Sequence, residues 1–421
     1  MKVFSILDSK NNILKPFFNQ LLSYRTFLVF NFLIFTAKMV YSFVADFPGK
    51  KIEDWYIGVN FYKYHVYSEF VELGPTAYKL PVYPLLISFF NFIFSGVARE
   101  ALIIFQHFLY FLIPVLFFKI CGLFKKEKAG IIAGYFFIFS PAYFMYSNII
   151  EVTNIFIFIF LVWLFYYSKI FLGKGIRNLY FILFGLLTAL LFLTQVIAIP
   201  FCILLIIFLV VYKKIKFSKF LIIGACIVLG YSPWVIRNYF AFDRIILSKT
   251  PVWQNIHSGF YEEHNIIPEL KLISIKEMNE KLEMRSKVNE LVMEEVYKKE
   301  IKEKLGTDWK LKFTKKAFQN LFFLWYVPPR YFYDQSFEIF WGRKVYSIIL
   351  NILTLFSLIG LRKNKLLFYG SVLLFVNFSL PYMIGHAANT RFKLDFEWFQ
   401  FILIGLFFFK KLSVNFFKNL Q

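Results

Sequence analysis

Apolar runs recur along this chain, and most approach the roughly twenty residues that cross the hydrocarbon core of a bilayer as a helix. They lie near 26–45, 101–119, 129–148, 152–168, 179–194, 196–212, 219–236, 345–361, 366–385 and 396–409. A backbone buried in lipid must satisfy its own hydrogen bonds, so runs of this kind and length read as helices. The expected fold class is therefore an all-α polytopic membrane protein of about ten transmembrane helices. Its 60 Phe and 26 Tyr among 421 residues, with 59% hydrophobic residues, exceed what a soluble domain carries.

The net charge of +22 raises nucleic acid as a partner, and the positions of the charges argue against it. With a cytoplasmic N-terminus, the inside segments hold Lys10, Lys15 and Arg25; Lys125, Lys126 and Lys128; Lys169, Lys174 and Arg177; Lys213, Lys214, Lys216 and Lys219; Arg362, Lys363 and Lys365; then Lys410 and Lys411. This is the positive-inside pattern of a membrane protein whose two termini are cytoplasmic. The shorter apolar stretch Pro81–Phe94 would invert the pattern if it spanned, so it is expected to lie at or dip into the outer interface. Basic and polar residues before the first span read as the flank of an uncleaved anchor. Cys121, Cys202 and Cys226 are scattered, with no CxxC pair, and imply neither a disulfide framework nor a metal site.

This topology divides the chain into a transmembrane module over 1–236, an extracytoplasmic region over 237–344 and terminal transmembrane helices over 345–421. Two segments fall outside the membrane with room for chemistry: 46–100, and 237–344, which is expected to be mostly helical. In the second, Ser274-x-x-Glu277 is a capping box opening a charged helical stretch that Gly306 closes. Lys310–Tyr326 then alternates Lys with Phe, Leu and Trp, as an interfacial helix does. No nucleotide-binding Gly loop, Asp-x-Asp or paired His is present, and no cofactor is expected.

Four segments carry a family resemblance. At the end of the seventh run the chain reads Pro233-Trp234-Val235-Ile236-Arg237-Asn238. The first outer loop has Glu53-Asp54-Trp55-Tyr56 followed by PTAYKLPVYP, YSNIIEVTN joins the third and fourth runs, and GHAANTRFKLDF lies near the C-terminus. In this order they resemble the GT-C superfamily of membrane glycosyltransferases, which includes protein O-mannosyltransferases and lipid A aminoarabinose transferases. The resemblance implies an enzyme that takes a sugar from a polyprenyl-phosphate donor and passes it to a lipid, glycan or protein acceptor at the outer face of the cytoplasmic membrane.

Carried over by position, the resemblance makes Asp54 the base, with Glu53 and Asp46 as alternatives, and Glu151 the second half of an acidic pair near the sugar. Lys79 stands where many members have Arg. Arg391, flanked by His386 and Lys393, is the leading phosphate ligand, with Lys79, Arg237 and His386 as further binding residues. The chemistry fits these types: a hydroxyl needs a carboxylate to take its proton, and a leaving phosphate needs cations. Each also has a plainer reading. Asp54 reads otherwise as a solvated loop charge, Lys79 and Arg237 as headgroup anchors, and Glu151 as an interfacial helix N-cap or first-turn acid favoured by the helix dipole. In LTQVIAIPF, Gln195 replaces the Arg common in related enzymes. The alternatives from other classes are a transporter or flippase of lipid-linked saccharide and a catalytically inactive envelope-assembly subunit.

Overall fold

The computed structural model describes residues 14–45, 52–173, 177–326, 337–385 and 390–418. Among these the regular structure is helical, apart from one isolated bridge between Tyr261 and Ile273. The helices run in order α1 Leu14–Leu21, α2 Tyr24–Val44, α3 Glu53–Tyr64, α4 Val82–Phe94, α5 Ala98–Leu123, α6 Glu127–Ile138, α7 Pro141–Tyr146, α8 Val152–Leu172, α9 Asn178–Phe192 and α10 Ile199–Val211. They continue as α11 Phe217–Phe242, α12 Trp253–Gly259, α13 Ile275–Arg285, α14 Glu290–Leu305, α15 Trp309–Tyr326, α16 Phe337–Leu361, α17 Lys365–Gly385 and α18 Thr390–Lys418.

Six helical runs among the described residues are long and apolar enough to cross a membrane: Tyr24–Val44, Val82–Leu123, Val152–Leu172, Phe217–Phe242, Trp341–Leu361 and Lys365–Met383. The protein is thus a membrane-embedded helical bundle. At the other expected spans, α9 and α10 are apolar but short, and the run near 129–148 is divided into α6 and α7 around Ser140 and Pro141. Helix α18 is long, but Arg391, Lys393, Asp395 and Glu397 crowd its first two turns. Its apolar part begins only at Trp398.

The run Val82–Leu123 is two helices rather than one. Ser95 takes a φ of 43°, the chain reverses, and α4 lies antiparallel along the first half of α5. Tyr83 Oη donates to Gln106 Oε1 at 2.5 Å, and the Phe90 and Phe105 rings meet at 5.4 Å. Helix α3 crosses α4 at Gly58, where a Cβ would stand 2.6 Å from the Pro84 carbonyl and 2.7 Å from Ile87 Cβ. Only hydrogen permits that approach, which sets the first turn of α3 against the bundle.

Helix α11 does not stop at Pro233-Trp234, as its sequence leads one to expect, but continues to Phe242 and ends on Asp243 in the left-handed region, φ 51°. Proline in a helix leaves the carbonyl four residues earlier without its donor. Here Ser232 Oγ donates to that carbonyl, Leu229 O, at 3.3 Å, which lets the helix run on.

Beyond α11, the expected capping box at Ser274 and Glu277 is present, and Gly306 ends the charged stretch with φ 62°. That stretch is two helices, because Asn289 accepts from Leu291 N–H and starts α14 afresh. Helix α15 packs on α17 while Trp309, Leu311, Phe318 and Phe322 stay exposed. The regions before and after the middle spans close on one another. Arg285 pairs with Glu69, while Glu290 accepts from Thr76 Oγ1 and, at 2.8 Å, from Ala77 N–H.

Candidate active site

Helix α3 begins after Ile52, which offers no side-chain cap, so the unpaired N–H groups of the first turn favour negative charge there. Glu53 and Asp54 fill that turn. The two have different surroundings: the Glu53 side chain keeps 31% of its exposure, whereas Asp54 keeps 3%. Lys79 Nζ lies 3.4 Å from Asp54 Oδ2 and 3.6 Å from Glu53, bridging both carboxylates. Asp54 Oδ2 accepts no hydrogen bond. Burial without a hydrogen-bond partner raises the proton affinity of a carboxylate oxygen, and a nearby cation opposes that rise.

The electrostatics separate the two acids. Burial pushes the Asp54 carboxyl above the ordinary carboxylate range; Lys79 opposes this, and Glu151 and Glu53 add to it. Lys79 instead holds Glu53 down to about 2. The Lys79 ammonium works against its own burial, but Asp54 and Glu53 outweigh that and raise it. Neighbouring carboxylates pushed in opposite directions acquire different roles, and Asp54 is the one placed to titrate.

The second half of the site comes from the helix ends of the bundle. Glu151 is the N-terminal cap residue of α8, 7% exposed, and its Oε1 pairs with the Arg391 guanidinium from the first turn of α18. Glu151 Oε2 accepts no hydrogen bond. Glu151 and Arg391 both act on the charge of Asp54, so residues drawn from 54, 79, 151 and 391 form one interacting cluster. Two further groups attach to it that sequence reasoning did not assign. Asp395, fully buried one turn after Arg391, accepts from Thr153 Oγ1 at 2.8 Å, Tyr382 Oη at 3.3 Å and Gln195 Nε2 at 3.5 Å. Lys249, half-buried in the segment after α11, feels the charges of Lys79, Arg391 and Asp54. Its sequence neighbours SKTP carry no signal that would have found it.

Arg237 is placed elsewhere. Its guanidinium donates to Thr76 O at 2.8 Å, Tyr67 O at 3.2 Å and the Asn238 side chain at 2.9 Å, and lies over the Tyr67 and Trp234 rings. It thus clamps the segment that leads into Lys79, a structural role. His386 and Asp46 lie outside the described residues. Among the described residues no group of three His, Cys, Asp or Glu side chains is placed to hold a metal ion.

The arrangement places a buried carboxylate with cations beside it on the ends of several helices. Comparison with protein-family models, with curated proteins and with solved structures finds no match.

Proposed function

We propose that the chain is an integral-membrane glycosyltransferase of GT-C type, with about ten spans. In this reading it moves a sugar from a polyprenyl-phosphate donor to a lipid, glycan or protein acceptor at the outer face of the plasma membrane. The observation that carries the reading is Asp54, a buried carboxylate without a hydrogen-bond donor on Oδ2, set beside Lys79 and in the field of Glu151 and Arg391. Asp54 takes the proton of an acceptor hydroxyl as its oxygen bonds to the anomeric carbon. The electron pair of the breaking bond between that carbon and the phosphate oxygen leaves on the phosphate. Direct displacement inverts the anomeric configuration.

The donor is a phosphodiester with one negative charge; the departing polyprenyl phosphate is a monoester approaching two. Cations at the leaving oxygen therefore gain attraction as the bond breaks, the condition for lowering a barrier rather than only tightening binding. Arg391 and Lys79 are assigned this role, with Glu151 turned toward the sugar.

Transport of a lipid-linked saccharide is a second reading, favoured by one feature. Lys38 is 4% exposed inside α2, and one turn away Ser42 Oγ meets His107 at 2.7 Å and Asn148 at 2.5 Å, a polar group within apolar helices. Proteoliposomes given labelled polyprenyl-phosphate sugars separate the two. Transfer with release of polyprenyl phosphate supports the enzyme. Movement of intact donor across the bilayer without release supports the transporter.

A further inference from the structure

Lys79 and Arg391 are both already paired in the folded protein: Lys79 bridges Asp54 and Glu53, and Arg391 is paired with Glu151. A phosphate arriving at either must compete with a carboxylate. Lys249 differs. Among the described residues it makes no ion pair and no hydrogen bond, yet it is partly buried and repelled by Lys79 and Arg391, with Asp54 the only opposing charge among its main influences.

Its position is fixed by backbone contacts rather than by its own side chain. Thr250 N–H donates to Ala77 O at 3.1 Å, so the segment carrying Lys249 lies along the strand of chain that carries Lys79. Trp234 Nε1 donates to Ser248 O at 2.7 Å, Tyr231 Oη to Leu247 O at 2.8 Å and Asn238 Nδ2 to Ile246 O at 3.0 Å. The last turns of α11 thus hold residues 246–248 in place, and Tyr231, Trp234 and Asn238 of that helix act by clamping the segment that carries Lys249 beside the cluster. Holding a lone ammonium among like charges is unfavourable, and burial with those neighbours lowers Lys249 to about 8. A dianion would relieve all three cations at once.

We propose that Lys249 is a phosphate ligand, the one cation of the cluster whose charge is free for the phosphomonoester that forms as the sugar departs. This rests on the donor reading above and adds to it a residue that the motifs do not contain. It also predicts that the site prefers the monoester product to neutral or singly charged lipids.

The test is binding of undecaprenyl phosphate to the full chain in phosphatidylcholine nanodiscs, with undecaprenol and inorganic phosphate as comparison ligands. Loss of a charged hydrogen bond predicts that Lys249→Gln weakens undecaprenyl phosphate by about tenfold or more, while Lys249→Arg keeps most of the affinity. Wild-type affinity should fall as the pH rises through about 8; the Arg variant, which keeps its charge, should lose that step. Lys249→Gln binding as the wild type does, with an unchanged pH profile, overturns the assignment and leaves the donor reading standing. Wild-type protein that binds undecaprenyl phosphate no better than undecaprenol overturns the donor reading and this inference together. Inorganic phosphate binding as tightly as the lipid would make the site one for free phosphate and overturn the lipid source.

Discussion

Asp54→Asn removes a proton acceptor while keeping side-chain volume. In the wild type the side chain is 3% exposed, has Lys79 at 3.4 Å and accepts no hydrogen bond on Oδ2. Loss of a positioned base lowers a rate by roughly two to four powers of ten, about 3–5 kcal/mol of barrier. Stability should move far less. A raised carboxyl contributes stability that is present at low pH and lost as the pH rises through its folded value, so ionised Asp54 works against folding at neutral pH. The Asn variant removes that burden, and Lys79 keeps Glu53 at 3.6 Å; the net change should stay within about 1 kcal/mol. The assay is transfer from labelled donor across a pH series. Wild-type turnover should rise with pH through a value above the ordinary carboxylate range, and the residual rate of Asp54→Asn should lack that limb. Glu53→Gln should keep most of the activity and move the limb to lower pH, because it removes a like charge from Asp54 and leaves Lys79 to Asp54 alone; Asp46→Asn should also stay active. Asp54→Asn turning over at the wild-type rate, with the acid limb intact, refutes the assignment.

Arg391→Ala should slow transfer about a hundredfold, as removal of one charge-stabilising donor does, and Arg391→Lys should recover only part. If Arg391 served merely to neutralise Glu151, adding Glu151→Gln to Arg391→Ala would restore turnover; we expect no recovery. Gly58→Ala adds a single methyl group, whose carbon would stand 2.6 Å from the Pro84 carbonyl oxygen; it should destabilise the protein by roughly 1–3 kcal/mol in thermal unfolding and lower turnover by shifting the first turn of α3. Wild-type stability and rate there would show that α3 is not held by this crossing. For topology, cysteines at Lys126, Lys214 and Lys363 should resist a membrane-impermeant thiol reagent in intact cells and one at Glu262 should react. Labelling at both Lys126 and Glu262 would overturn the expected orientation.

The resemblance singled out Asp54, Lys79, Glu151 and Arg391, and the fold collects all four, although 240 residues separate Glu151 from Arg391. The same local reading placed Arg237 among the binding residues, where the fold spends it on the carbonyls of Tyr67 and Thr76. Asp395 and Lys249 were given no role by it, one lying in the segment that carries Arg391 and the other in an unremarkable loop.

By itself the sequence determined what depends on neighbours along the chain: apolar runs that must become helices in a bilayer, the Ser274 and Glu277 box, and the glycine stop at Gly306. Where the signal was local but its consequence was not, the structure decided. Pro233 reads as a helix end until Ser232 is seen to satisfy Leu229 O, and Pro81–Phe94 reads as a stretch apart from the 101–119 run, but only the structure shows α4 folded along α5. Tertiary structure alone decided which charges meet. Hydrophobic runs are dictated by transfer free energy, which each segment feels alone, whereas a carboxylate's partner and proton affinity depend on burial and on cations brought from distant parts of the chain.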